Sequence, residues 1–171
     1  MSTIFTLRAF REGDEYALVK HANNPNVAKY LRNIFPSPYT HDDAVWWIDF
    51  NKSQKAPYTS LAICVDDAVV GCIGIILGQD IHACQAEIGY WLGEEYWGKG
   101  IMSEALKQMT TYTFDHFPQI QRIFAGVFDT NKASQKVLEK GGYQLESIQP
   151  KSILKDGKCY DGYLYVVFRG E

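Results

Sequence analysis

The sequence has 171 residues, a length that suits one domain with a hydrophobic core. Hydrophobic residues make up 46% of it, charged residues make up 22%, and the net charge of −3 excludes an electrostatic case for binding nucleic acid. The N-terminus has no signal-peptide pattern, and the longest apolar stretch, residues 68–77, is too short to cross a bilayer, so no membrane partner is expected.

Cysteine and histidine usage also argues for a reduced, metal-free chain. The cysteines form no C-x-x-C pair, and three lie within or beside predicted strands, where a small buried thiol is the default. We therefore expect reduced, structural thiols and a cytoplasmic chain. The histidines lack metal-ligand spacing, so no metal is predicted. These residues are Cys64, Cys72, Cys84, Cys159, His21, His41, His82 and His116.

The first part of the chain predicts one strand and three helices. Apolar and polar residues alternate over residues 4–10, which indicates a strand. Asp14 is a candidate N-cap for the first helix and Asn26 for a short second one, and Thr40-x-x-Asp43 is a capping-box variant that opens the third. Residues 34–39 form a loop with two prolines and two aromatic rings. This loop is either one wall of a substrate cleft or a rigid connector with buried rings.

The second part alternates strands and helices. A long helix is predicted from about Met102 to residue 117, and a shorter one over 132–140 with Asn131 as its N-cap. The turns Asp66-Asp67 and Asp156-Gly157 indicate two hairpins. The resulting order, β-α-α-α-β-β-β-α-β-α-β-β, predicts an α/β chain with a mixed sheet. The strands of this part are predicted over residues 60–65, 69–77, 87–92, 122–128, 143–155 and 158–169.

The segment from Glu87 to Met102 passes from a β-prone run through a glycine-containing loop into a helix. A helix start exposes unpaired N–H groups and the positive end of the macrodipole, which makes an anion site. The spacing Gly93-x-x-x-x-Gly98-Lys99 matches most of a P-loop, but Gly100 stands where a magnesium-binding hydroxyl belongs. Gly98-x-Gly100 also begins a dinucleotide fingerprint, but its third glycine is missing. A third alternative is that the glycines only allow tight packing.

Four patches, in their order and spacing, resemble the GNAT superfamily of N-acetyltransferases, and in particular its ribosomal-protein N-terminal (alanine) acetyltransferase branch. They are Leu7-Arg8-x-Phe10-x-x-x-Asp14, residues 87–92, residues 97–105 and residues 131–143. The resemblance implies one N-acetyltransferase domain over residues 1–171. Its fold would be a mixed, mostly antiparallel sheet of about seven strands, splayed between strands 4 and 5 and flanked by about four to five helices. Glu95 departs from the superfamily pattern, which has Gln or Arg there.

The resemblance implies acetyl-CoA as co-substrate and assigns residues to hold it. Main-chain N–H groups at the glycine loop would bind the pyrophosphate, and the fourth strand would pair with the pantetheine arm as an added strand would. Asn131 either contacts the pantetheine or simply caps its helix. The implied coenzyme-binding residues are Trp91, Leu92, Gly98, Lys99, Gly100, Ile101, Met102 and Asn131.

Acetyl transfer also needs a base and an acid. An alkyl amine has a pKa of about 10, so it must lose a proton before it attacks the thioester. Glu87 is the acid within the fourth strand and is the candidate general base, although a solvated rim carboxylate would look the same. By resemblance, Ser134 is the candidate proton donor to the departing thiolate, or else it only helps its helix to start. Tyr143 is a rival donor or a core residue.

The acceptor is expected to be a primary amine, either a peptide N-terminus or a small molecule such as a polyamine, an amino-sugar or an antibiotic. No cysteine lies in the acceptor patches, which favours direct transfer over a covalent enzyme intermediate. A non-catalytic acyl-CoA-binding module and a purely structural subunit are the alternatives, and a homodimer is compatible with the family. The candidate substrate-wall residues are Phe35, Tyr39, Trp47, Tyr160 and Asp161.

Overall fold

The computed structural model describes residues 3–171. The strands are β1 (Thr6–Arg8), β2 (Ser60–Val65), β3 (Ala68–Leu77), β4 (Gln85–Leu92), β5 (Arg122–Phe128), β6 (Gln144–Lys155) and β7 (Lys158–Phe168). The helices are α1 (Glu15–Ala22), α2 (Pro25–Ala28), α3 (His41–Lys52), α4 (Ile101–His116) and α5 (Lys132–Lys140), with short 3-10 turns at Asp80–His82 and Glu94–Tyr96.

The seven strands form a mixed sheet in the order β1-β2-β3-β4-β5-β7-β6. The pairings β1–β2, β2–β3, β5–β7 and β6–β7 are antiparallel, whereas β4 and β5 are parallel. The β4–β5 pairing runs from Gln85–Arg122 to Glu87–Phe124 and ends there. The predicted α/β fold, with a mostly antiparallel sheet that splays between strands 4 and 5, is confirmed.

The chain divides into two compact units. The first comprises residues 3–74 together with Tyr90–Ala105, and the second comprises Ile75–Gly89 and Leu106–Glu171, so that α4 begins in the first and continues in the second. The assignment of residues 1–171 to a single domain stays a prediction.

The first unit is built on a hairpin and on α1 and α3. Asp66 and Asp67 both have positive φ, 49° and 66°, as the tight turn between β2 and β3 requires. The predicted capping box is present: Thr40 Oγ1 accepts a hydrogen bond from the Asp43 N–H, and the Asp43 carboxylate accepts one from the Thr40 N–H. The core of this unit includes Phe10, Leu18, Ala22, Ala44, Ile48, Ala62, Cys64, Val69 and Cys72.

In this unit one predicted N-cap is wrong, and the other, Asp14, holds the N-cap position of α1 without a side-chain capping bond. Asp14 makes no side-chain cap, because its buried carboxylate instead accepts hydrogen bonds from the Arg8 guanidinium and the Arg11 N–H. Asn24 rather than Asn26 caps α2, since its side chain accepts from the Asn26 N–H while Pro25 takes the first helical position.

The second unit contains the β5–β7–β6 ladder and the rest of α4 with α5. Gly157 has a φ of 75° and Asp156 a φ of 49°, which confirms the predicted tight hairpin between β6 and β7. A Cβ at Gly141 would lie 2.5 Å from Leu106 Cδ2, so the glycine at the end of α5 lets α4 approach closely.

The two faces of β5 differ in what covers them. Ala125 pairs with Tyr165 of β7, and the Tyr165 hydroxyl lies 3.2 Å from Glu139 Oε1 of α5. Paired residues of neighbouring strands point to the same face, so α5 covers the Ala125 face. Phe124 and its partner Glu87 therefore lie on the opposite face of the sheet.

The cysteine prediction is half correct. Cys64 and Cys72 are buried in β2 and β3, whereas Cys84 and Cys159 are exposed, although all four thiols are free. Cys84 lies just before β4, and Cys159 lies next to the hairpin turn on β7, where the strand runs into solvent. Among residues 3–171, no helix combines the length and the apolar character that crossing a membrane needs.

Candidate active site

The loop from β4 to α4 begins with two hydrogen bonds that fix its course. The Gly93 N–H donates to the Val70 carbonyl of β3 at 2.7 Å. The Trp97 indole N–H donates back to the Leu92 carbonyl, also at 2.7 Å. The 3-10 turn lies between these two bonds, so the chain is held on both sides before it reaches Gly98.

Gly98 and Gly100 take left-handed backbone conformations with φ of 72° and 77°. A Cβ at either position would meet no atom within 4 Å, and both residues are exposed. The glycines are therefore needed for the backbone conformation and not for close packing, which contradicts the tight-packing alternative. The loop surface is open at both glycines.

The start of α4 is held firmly by its own side chains. Ile101 and Met102 are buried, with exposures of 2% and 7%. The first N–H groups of any α-helix have no partner within the helix, so those of Ile101 and Met102 are suited to an anion at the loop. Lys99 is exposed, and its Nζ lies 5.1 Å from the centre of the Tyr96 ring.

The two acids before the loop have partners that sequence reasoning missed. Glu94 accepts hydrogen bonds from the side-chain amides of Asn24 and Asn26, at 2.7 and 3.0 Å, and these bonds lower the pKa of its carboxyl group. Glu95, the departure from the family pattern, lies 3.3 Å from Lys20 Nζ and 3.4 Å from His21 Nδ1. The signal was present in the sequence, because two acids that precede an anion-binding loop need partners.

The fourth strand supports part of the predicted pantetheine contact. A Cβ at Gly71 would clash with the Trp91 carbonyl oxygen, so β3 and β4 approach closely there. The Leu92 carbonyl already accepts the Trp97 indole N–H, so this carbonyl is engaged within the protein. Phe35 packs edge-on against Trp91, with ring centres 6.1 Å apart. The pantetheine role of Trp91 and Leu92 stays a prediction.

The catalytic candidates lie in the second unit on different sides of the sheet. Glu87 is half-buried on β4, on the face opposite α5. Ser134 is half-buried in the first turn of α5, where its N–H donates to Asn131 Oδ1 at 3.2 Å. Asn131 is therefore a genuine N-cap, as predicted. Tyr143 is 2% exposed and its hydroxyl lies 2.8 Å from Thr110 Oγ1, so it forms part of the packing between α4 and the chain after α5.

The aromatic substrate-wall candidates of the first unit are mostly packed rings. Tyr39 is 6% exposed, its N–H donates to Asn23 Oδ1, and burial raises the pKa of its hydroxyl. Phe35 lies 5.3 Å from Tyr39 between ring centres, and half-buried Trp47 meets Phe10 edge-on at 5.9 Å. Residues 34–39 therefore match the rigid-connector alternative at Tyr39.

The candidates of the second unit hold its strands together. Tyr160 packs edge-on against Phe128, with ring centres 5.3 Å apart. Asp161 Oδ1 accepts a hydrogen bond from the Lys151 N–H at 2.9 Å, and Lys151 lies with a φ of 52° at an irregularity of β6. This carboxylate fixes a bulged edge strand. A direct role in binding an ammonium group stays a prediction.

Comparison with known proteins then decides the family. The family model described as an acetyltransferase (GNAT) domain matches residues 5–144. The chain belongs to the GNAT acetyltransferase family. It is 30% identical over its whole length to an uncharacterized N-acetyltransferase, p20 of Bacillus licheniformis, and covers 98% of that protein.

Two further GNAT proteins are similar to this chain, one in sequence and one in fold. The [ribosomal protein uS5]-alanine N-acetyltransferase of Escherichia coli is 30% identical over 118 residues, which is 68% of this chain and 59% of the relative. The solved structure of RimL, a ribosomal alpha-N-protein acetyltransferase in complex with coenzyme A, has a TM-score of 0.83 at 22% identity, over 98% of this chain and 95% of that one. This GNAT chain is thus an N-acetyltransferase, and the family's coenzyme is consistent with the open glycine loop.

Two features of this acetyltransferase were not foreseen from its sequence. Asp129 Oδ1, just after β5, is buried without a hydrogen-bond partner in residues 3–171. Gly89 and Gly126 are exposed two residues beyond the last β4–β5 pair, and a Cβ at either would meet nothing within 4 Å.

Within the described part of the chain, no group of three His, Cys, Asp or Glu side chains is placed to hold a metal ion.

Proposed function

We propose that the chain transfers the acetyl group of acetyl-CoA directly to the α-amine of a protein N-terminus. The observation that carries the coenzyme assignment is the open, left-handed glycine loop at the start of α4. The acceptor assignment is supported by the relatedness to a ribosomal-protein alanine N-acetyltransferase over 68% of this chain. Free thiols at all four cysteines support a cytoplasmic location.

The coenzyme would be held by main-chain groups. N–H groups of Gly98, Lys99, Gly100, Ile101 and Met102 bind the diphosphate, and the helix dipole adds to their attraction. No Cβ covers Gly98 or Gly100, so the diphosphate oxygens reach hydrogen-bond distance from the backbone. Acetyl-CoA, when bound, supplies the thioester that the amine attacks.

Glu87 would serve as general base. The amine nitrogen gives a proton to the Glu87 carboxylate, directly or through water, and then attacks the thioester carbonyl carbon. The new N–C bond forms first, and the N–H of Trp91 stabilises the resulting oxyanion. The C–S bond then breaks and releases the coenzyme thiolate. Glu87 lies on the face of the sheet opposite α5, so the amine approaches from that face.

Ser134 would donate a proton to the coenzyme thiolate. It lies on α5, which covers the other face of the second unit's sheet. The amine and the leaving thiolate would therefore be served by groups from different elements, Glu87 of β4 and Ser134 of α5. Burial raises the pKa of Cys64 to about 11 and that of Cys72 to about 12, which keeps both thiols protonated and argues against either as an acetyl carrier.

A panel of acceptors with detection of released coenzyme thiol tests this function. Peptides with N-terminal Ala or Ser are expected to release thiol at the highest kcat/KM, ahead of spermidine and an aminoglycoside. Preference for spermidine or the aminoglycoside would instead assign a small-molecule acetyltransferase. Acetyl-CoA binding with no turnover of any amine would make the chain a binding module.

A further inference from the structure

His21 is a buried histidine of α1 that the proposed chemistry does not use. Its side chain is 6% exposed, and burial lowers the pKa of its imidazole while the charge of Glu95 opposes that effect. A buried polar ring needs partners. Those that His21 has belong to the segment directly before the glycine loop.

Three residues of that segment contact the imidazole. Gly93 passes so close that a Cβ there would lie 2.6 Å from His21 Nδ1. Glu95 Oε1 lies 3.4 Å from the same nitrogen. The Tyr96 ring packs edge-on against the imidazole, with ring centres 5.5 Å apart and an interplanar angle of 72°. One side chain of α1 thus holds the whole 3-10 turn.

The contacts continue from this turn to the glycine loop itself. Tyr96 lies beneath Lys99, whose Nζ is 5.1 Å from the ring centre. Trp97, the next residue, is tied to the Leu92 carbonyl. A displacement of the turn would therefore move the backbone at Gly98 and Gly100, whose N–H groups must point at a diphosphate.

We infer that His21 is a positioning residue for the coenzyme loop, and that it acts through Gly93, Glu95 and Tyr96. The inference rests on the proposed coenzyme role of Gly98–Met102. It also explains why Glu95 is tolerated where the family pattern has Gln or Arg. The carboxylate is held by α1, with Lys20 as a second partner that neutralises its charge beside an anion site.

The exposed part of this arrangement contributes little by itself. The Lys20 and Glu95 side chains are 67% and 55% exposed, and such surface pairs have small energies because water and salt screen them. The buried imidazole should contribute more, because it packs directly against Gly93, which has no side chain of its own to occupy the space of the ring. The test therefore changes His21 and leaves Lys20 intact.

Two variants separate the ring from its nitrogen, and a third is a control. His21→Phe keeps a ring for Tyr96 but loses the nitrogen that lies 3.4 Å from Glu95, whereas His21→Asn keeps a nitrogen near the position of Nδ1. We expect His21→Phe to raise the Kd of acetyl-CoA about tenfold, because Glu95 and its turn lose the polar contact with α1. We expect His21→Asn to restore part of the affinity and kcat at saturating coenzyme to change less than twofold. His41→Phe, at an exposed histidine of the same unit, should leave Kd unchanged.

A second readout does not depend on the coenzyme. The N–H groups of Tyr96 and Trp97 donate to the carbonyls of Gly93 and Glu94. Their amide hydrogen exchange should become about tenfold faster in His21→Phe than in the wild type, while amides of β2 exchange as before. In a double-mutant cycle with Glu95→Ala, the effect of His21→Phe on Kd should shrink at least threefold.

Each outcome decides a different claim. Unchanged exchange of Tyr96 and Trp97 in His21→Phe, together with an unchanged Kd, would overturn the positioning role even if the melting temperature falls. A kcat defect at normal Kd would overturn it as well. Failure of the wild type to bind acetyl-CoA would overturn the proposed function alone, because faster exchange of Tyr96 and Trp97 in His21→Phe would still support the positioning role.

Discussion

Replacing Gly100 by Ala tests the coenzyme loop most directly, because the structure separates two effects of the added methyl group. The φ of 77° at Gly100 is unfavourable for any residue with a Cβ and should cost about 1–2 kcal/mol of folding free energy. The methyl meets no atom within 4 Å, so it adds no clash in the free protein. For a chain of 171 residues this cost lowers the melting temperature by about 3–6 °C.

Gly157→Ala is the matched control for this strain. Gly157 has a φ of 75°, and a Cβ there also meets nothing within 4 Å, but it lies in the β6–β7 turn. Both variants should therefore lose similar stability. Only Gly100→Ala should weaken acetyl-CoA binding, because its methyl group stands where the diphosphate approaches the backbone and displaces a hydrogen bond to a charged group.

Calorimetry with acetyl-CoA, below the melting transition of both variants, measures the difference. Loss of one such hydrogen bond corresponds to about 1.5–3 kcal/mol, or a Kd about 10- to 150-fold higher for Gly100→Ala than for Gly157→Ala. Equal Kd values for the two variants would refute the reasoning, because the coenzyme would then not approach the backbone at Gly100. A large loss in Gly157→Ala would refute the choice of site.

Four further results are expected. Glu87→Gln should lower kcat/KM about a hundredfold at neutral pH with unchanged coenzyme Kd, and unchanged turnover would remove Glu87 as base. Gly126→Ala should leave the melting temperature unchanged but raise the KM of the acceptor, because its methyl enters open space on the face of Glu87; a KM equal to wild type would place the acceptor elsewhere. Arg8→Met should cost about 3–5 kcal/mol in denaturant unfolding, since it leaves the buried Asp14 carboxylate unpaired, and a loss below about 1 kcal/mol would contradict that pairing. Because burial lowers the pKa of His21, the unfolded chain binds its proton first, so stability should fall as pH drops below about 6.5, and His21→Asn should flatten that slope in melting curves between pH 5 and 7.

Local sequence signals were sufficient for the secondary structure. The paired positive-φ residues at Asp66-Asp67 and Asp156-Gly157 define turns that depend on their own few residues. The Thr40 capping box and the Asn131 cap likewise involve residues three apart. Prediction failed at Asn26, because Asn24 caps α2. At Asp14 the N-cap position is correct, but the carboxylate pairs with Arg8 instead of capping the helix.

The glycine loop was predictable for the same reason, since its conformation and its N–H groups are properties of the loop and of the helix that follows it. The partners of Glu94 and Glu95 were not predictable, because they lie about 70 residues earlier, at Asn24 and Asn26 and at Lys20 and His21. Two acids beside an anion site are unusual, and the sequence shows that. The residues around them do not show which part of the chain supplies their partners.

Acceptor recognition is the least predictable part of the site, and the structure explains why. A substrate wall depends on which rings remain accessible after packing. Tyr39 lies in a loop with two prolines, yet its side chain is buried in the core. Asp161 Oδ1 accepts a hydrogen bond from the Lys151 N–H at the irregularity of β6, and its role toward an ammonium group stays a prediction. On the face of the sheet that carries Glu87, open space lies above Gly89 and Gly126, which have no side chains to fill it. Bare backbone gives no chemical signature in a sequence. We therefore expect substitutions that fill this space to change the KM of the acceptor more than the removal of any aromatic ring does.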